Sequence, residues 1–124
     1  FKLKIQIFIM IVYGIPNCNT VKKAQDWLKQ NNVDYTFHDF KKAGITEAKL
    51  KEWSKRLGWQ ALVNKKGTTW RQLDPKVQEN IVDETSAIAL MLEKSSVIKR
   101  PVVETAKKIV LGFDEGVYQQ EFNN

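Results

Sequence analysis

The sequence predicts a mixed α/β fold: a βαβ unit, a block of helices, then ββα. Three observations predict it. An apolar run at 7–12 is followed by Val21, Ala24, Trp27 and Leu28, which recur at helical spacing. A second alternating stretch comes soon after that helix, which implies a parallel βαβ unit with a right-handed crossover. Two short β-rich runs, Val102-Val103 and Ile109-Val110-Leu111, precede a last helix. At 124 residues and 43% hydrophobic, the chain suits a single domain, 1–124, with one core.

The elements follow in order. In 1–9, Lys2, Lys4 and Gln6 alternate with Leu3, Ile5 and Ile7 at the period of a strand. This segment either extends the first strand or is not native, Met10 being a natural start. It lacks the cleavage site of a signal peptide, and its apolar run is far short of a membrane span. The first strand is read over 7–12, with Gly14 and Pro16 stopping it. Asn17 is a good N-cap type, which puts Cys18 in the first turn of the next helix. That helix is expected to end near Gln30-Asn31-Asn32.

Residues 35–40 alternate as a second strand, and 41–44 read as a loop. Thr46 caps a helix whose Leu50, Trp53 and Leu57 share a face, and Gly58 ends it. Residues 59–74 are mixed, with a helical turn at 61–63 and a loop at 64–67. Helix-like polar residues follow Pro75. Ala87, Ile88, Met91 and Leu92 mark an amphipathic helix after Asp83, broken at Ser95-Ser96. The helical insertion thus occupies about 45–95. A tight turn near Thr105-Ala106 joins the last strands, and Asp114 caps a final helix carrying Val117, Tyr118 and Phe122.

Cys18 is the only cysteine. Unpaired N–H groups and the helix dipole at a helix start stabilise a thiolate. Lys22 lies one turn on, on the same face. Together they are expected to lower the thiol pKa from ~8.5 into the range of about 3.5–7.5. One cysteine excludes an intrachain disulfide and argues for a reducing compartment, the cytoplasm. There is no C-x-x-C: Val21 stands where a second sulfur would be. A disulfide formed at Cys18 must be resolved by an outside thiol.

The net charge of +6 favours anionic small molecules. Lysines are scattered, and the arginines are only Arg56, Arg71 and Arg100, with no nucleic-acid motif, so neither a nucleic-acid partner nor a membrane is expected. His38 stands alone in a strand and reads as structural. No metal site, phosphate loop or nucleophilic triad is apparent.

The run YGIPNCNTVKKAQDWL resembles the active-site segment of the arsenate reductase-like branch of the thioredoxin superfamily. That branch includes glutathione-coupled arsenate reductases, Spx-type regulators and YffB-like proteins. The likeness continues through ALVNKKGTTWRQLD, SSVIKRPVVE and VLGFDEGVY, and is nearest the YffB-like group. It implies a thioredoxin-like core with a helical insertion between its halves. It implies a cis-proline at Pro101 facing the cysteine, and an oxyanion-holding arginine at Arg100, whose planar fork suits that task. Asn64 stands where arsenate reductases carry another arginine, and Lys22 replaces a further basic residue. A late arginine has no counterpart among 107–113. Arg71 is a candidate for the anion site.

The candidate catalytic set is therefore Cys18, Lys22 and Arg100. The candidate substrate-binding set is Asn17, Asn19, Asn64, Arg71 and Pro101. The resemblance implies a monomeric monothiol reductase with no bound cofactor and glutathione as co-substrate. Two alternatives stand beside it: an arsenate reductase using glutathione or glutaredoxin, and an Spx-like regulator that binds RNA polymerase without chemistry.

Overall fold

The computed structural model describes residues 9–122. β1, Ile11–Gly14, leads through a bend at Pro16-Asn17 into α1, Asn19–Gln30, and back to β2, Thr36–Asp39. β1 and β2 pair in parallel, with Val12 opposite Phe37. Six helices follow: α2 Phe40–Ala43, α3 Glu47–Leu57, α4 Trp59–Leu62, α5 Thr68–Arg71, α6 Pro75–Glu79 and α7 Glu84–Glu93. A 3-10 turn, Ser95–Val97, leads to β3, Val102–Glu104, which pairs antiparallel with β1. β4, Ile109–Leu111, pairs antiparallel with β3, and the sheet order is β2-β1-β3-β4. The Thr105 N–H donates to the Lys108 carbonyl at 2.9 Å, closing the expected tight turn. α8, Glu115–Phe122, is capped by Asp114, whose Oδ1 accepts the Val117 N–H at 3.0 Å. This is the expected thioredoxin-like α/β arrangement.

Side chains alternate across the sheet, as the period of a strand dictates. Val12 and Val103 pack with Ala24, Trp27 and Leu28 of α1 and Tyr118 of α8. Tyr13 and Val102 face the helical block, with Trp53, Leu62, Met91 and Ile98. The sheet is thus the middle of three layers.

Several boundaries differ from the sequence reading. Of the strand expected over 7–12, residues 7 and 8 lie outside the described residues, as does most of the segment 1–9. β1 runs on through Gly14, held in register by β2 and β3. Gly14 does not stop the strand. It permits close packing instead: a Cβ there would lie 2.9 Å from a methyl of Val21 on α1. The second strand ends at Asp39 rather than at 40. Asp39 accepts the Lys41 N–H at 2.8 Å and starts the one-turn α2 where a loop was expected.

The helical block grips both ends of β3. Before it, Val63 bridges Ile98, the Asn64 N–H donates to Val97 O at 2.8 Å, and the Lys99 N–H donates to Leu62 O at 2.7 Å. At its far end, Glu104 accepts from Lys49 Nζ at 3.1 Å, Trp53 Nε1 at 3.0 Å and Tyr13 OH at 3.2 Å.

Candidate active site

Cys18 sits where β1 has ended and α1 begins. Its backbone is extended, φ −139° and ψ 123°, and its carbonyl accepts the Lys22 N–H at 2.9 Å. Cys18 is therefore the N-cap itself, rather than a first-turn residue capped by Asn17. The correction sharpens the chemistry. A cap side chain faces the unpaired N–H groups of the first turn.

The thiol is half-buried. Burial pushes its pKa up. The Val21 N–H, the Arg100 guanidinium and the Thr20 N–H pull it down, and the pull prevails, leaving Cys18 more acidic than an ordinary thiol. The Val21 N–H gives the largest pull and the Arg100 guanidinium the next. Lys22, expected to supply the positive charge, is exposed and is not among the groups that shift the thiol. Arg100 is the cation that does.

Arg100 comes from the other half of the chain. The Arg100–Pro101 bond is cis, as expected, and Pro101 is buried. The guanidinium Nη1 donates to the carbonyls of Ser96 and of Ile98, the latter at 3.2 Å. Both hydrogens of Nη1 are thereby used. Nε is buried and has no partner, so that edge of the fork keeps an unspent donor.

The other candidates are placed as follows. Asn17 and Asn19 flank the cysteine and are exposed. Asn64 lies in the turn after Val63. Its Oδ1 accepts the Lys66 N–H at 3.2 Å, and its amide nitrogen packs so closely over Gly67 that a Cβ there would lie 2.9 Å away. Its side chain thus serves its own turn, and no hydrogen bond joins it to Cys18 or Arg100. Arg71 ends α5, which packs against the 3-10 turn bearing Ser96, and its side chain is exposed. The structure therefore brings Arg100, which precedes the cis-proline, to Cys18, and leaves Lys22 and Arg71 at the surface. His38 bonds Gly44 O at 2.7 Å and its ring lies 4.7 Å from that of Tyr13. Among the described residues no cluster of three or more His, Cys, Asp or Glu could hold a metal ion.

Sequence reasoning missed the carbonyls of Ser96 and Ile98, which carry no side-chain signature. It also missed the pairing of Asn64 with Gly67, for which the N-x-x-G spacing is a signal.

The sheet order and the cysteine at the β1–α1 junction define the class: a thioredoxin-like α/β protein. The ArsC family model matches residues 13–121, and the chain belongs to the ArsC family. An uncharacterised protein of Haemophilus influenzae is 41% identical over 114 residues, 92% of this chain and 99% of that protein. The regulatory protein MgsR of Bacillus subtilis is 24% identical over 106 residues, 84% of this chain and 82% of its own. A solved YffB protein is 42% identical with a TM-score of 0.84, covering 90% of this chain and 96% of the other. An arsenate reductase (ArsC) related protein from Brucella melitensis is 43% identical with a TM-score of 0.74, covering 93% and 95%.

Proposed function

We propose that the protein is a monothiol, glutathione-dependent thiol reductase acting through Cys18. The observation that carries this is a lone acidic cysteine at a helix start, with Arg100 beside it and no second cysteine in the chain. The Cys18 thiolate attacks the glutathione sulfur of a mixed disulfide R–S–S–G. The S–S bond breaks, R–S⁻ leaves and takes a proton from solvent, and Cys18 becomes glutathionylated. A glutathione thiolate then attacks the glutathione sulfur carried on Cys18. Glutathione disulfide leaves and the Cys18 thiolate returns. The net exchange turns R–S–S–G and one glutathione into R–SH and glutathione disulfide, so the disulfide bond passes from R to the second glutathione. The unspent Nε of Arg100 receives a carboxylate of the tripeptide. Asn17 and Asn19 border the entering disulfide, and exposed Lys22 and Arg71 attract it at longer range.

The monomer in a reducing cytoplasm is the setting that one cysteine suits. No helix among the described residues is long and apolar enough to cross a membrane.

Arsenate reduction, with glutathione or glutaredoxin as donor, is a second reading, favoured by the name of the Brucella relative. A compact oxyanion under thiolate attack needs several fixed donors, and losing one costs ~10²–10³ in rate. Here Asn64 is spent on its own turn and Arg71 is exposed, so arsenate ranks below glutathione. Non-enzymatic regulation is the third reading, favoured by the name of MgsR. A pull-down in which the protein binds the RNA polymerase alpha subunit would favour it over the two reductase readings.

The deciding experiment treats the protein with glutathione disulfide, locates the adduct by mass spectrometry, and follows turnover of a glutathionylated peptide beside arsenate. An adduct at Cys18 and peptide turnover are expected. Absence of the adduct, or efficient arsenate turnover, overturns the ordering.

A further inference from the structure

The role of the Asn64–Gly67 turn goes beyond the reading above. Arg100 is held by two carbonyls, Ser96 O and Ile98 O. Those carbonyls belong to a segment with little regular structure of its own, a single 3-10 turn followed by extended backbone. Its shape is imposed from outside. The Asn64 N–H seizes Val97 O at 2.8 Å, the residue between the two carbonyls that hold Arg100. Leu62 O takes the Lys99 N–H at 2.7 Å, and Val63 bridges Ile98. The turn that presents the Asn64 N–H is in turn closed by the Asn64 side chain over Gly67.

We propose that the Asn64–Gly67 turn is a positioning element for Arg100, holding the guanidinium against Cys18 through the Ser96–Ile98 carbonyls. Asn64 then acts through its main chain, not as a ligand for substrate. The inference deepens the thiol reading, since it concerns how the same thiol is tuned. Arg100 is the charged side chain that acts on the sulfur, while Lys22 of α1, Arg71 of α5, and Lys65 and Lys66 of the turn itself are exposed and do not. A turn that moves Arg100 therefore moves the thiol's main charged partner.

The test reads the rate of Cys18 alkylation by iodoacetamide at about pH 6, with circular dichroism to verify folding. Asn64→Pro removes the N–H. Gly67→Ala places a Cβ 2.9 Å from the Asn64 amide and forces it aside. Asn64→Ser keeps both the N–H and a capping oxygen. Ser54→Ala cuts a bond of 2.8 Å to Glu84 elsewhere in the block and serves as the control. Arg100→Gln removes the cation, and the expected loss of thiolate slows alkylation about tenfold. Asn64→Pro is expected to approach that loss, Gly67→Ala to fall part of the way, and Asn64→Ser and Ser54→Ala to match the parent. In the Arg100→Gln background the Asn64 and Gly67 changes should have no further effect, which a merely structural role would not produce. Should Asn64→Pro fail to fold, Gly67→Ala decides alone. Unchanged rates in both variants, or equal slowing by Ser54→Ala, overturn the proposal. A parent protein that alkylates like a free thiol overturns the thiol reading instead, so the two failures are told apart.

Discussion

Two charged residues flank β3, and the protein treats them oppositely. Glu104, at the end of the strand, is surrounded. Its carboxylate accepts from a lysine, an indole and a phenol drawn from α3 and β1, and only 11% of its side chain is exposed. Burial pushes its pKa up, but the Trp53 and Lys49 contacts prevail and hold it below the usual carboxylate range. The same neighbourhood raises the pKa of Tyr13, by burial first and the Glu104 charge second. Arg100, just ahead of the strand, is held on one side by carbonyls and left with a buried, unpartnered Nε on the other. The difference separates a buried charge used for architecture from one that the proposed function assigns to a ligand. The first has its hydrogen-bonding capacity filled by the protein. The second keeps an empty position.

The largest effect that would sharpen this contrast comes from Cys18→Ser. Alkylation and glutathione capture should vanish, while the free energy of urea unfolding stays within about 0.5 kcal/mol of the parent, as for substitutions that disturb no packing. A loss of stability well beyond that would break the contrast, by giving Cys18 an architectural role. Next comes Glu104→Ala, which strands three donors at once. It should cost about 2–3 kcal/mol in urea unfolding, at or below the range for breaking buried ion pairs because Lys49 keeps 29% exposure. Cys18 alkylation should not change. A smaller effect is expected from Arg100→Lys, which keeps the charge but not the fork. Alkylation at about pH 6 should slow about threefold, between the parent and Arg100→Gln.

The smallest effect is an acid limb in stability. A depressed carboxylate binds its proton more readily in the unfolded chain than in the folded one. Glu104 therefore contributes fully above its ordinary value of 4.5 and loses that contribution as pH falls below it through the folded value. Glu104→Gln should flatten this limb in a series of urea titrations, and an unchanged slope would detach Glu104 from its assigned role.

The fold was legible where local signals and the global pattern agree. The 3.6-residue spacing of Val21, Ala24, Trp27 and Leu28 and the runs at Val102 and Ile109 carried the layers correctly. Boundaries were lost where long-range pairing decides: Gly14 looked like a terminator, but its missing side chain is what lets Val21 approach the sheet. The site was half legible. Cys18 could be placed by residue type and order, and Arg100 and the cis bond at Pro101 through the family resemblance. The choice of Arg100 over Lys22 as the acting charge could not, because one helical turn of spacing does not say which way an exposed lysine leans. The Ser96 and Ile98 carbonyls were invisible because every residue carries one.

The sheet order has a consequence for the protein while it is being made. β1 lies directly beside β3, yet Tyr13 and Glu104 are 91 positions apart. A growing chain exposes Cys18 long before Arg100 has been added. During that interval the sulfur has its local N–H groups at most, and no guanidinium. Contacts of such long range form late, after the loop-closure cost has been met. The share of the thiol's acidity that Arg100 supplies thus arrives only with the second half of the chain.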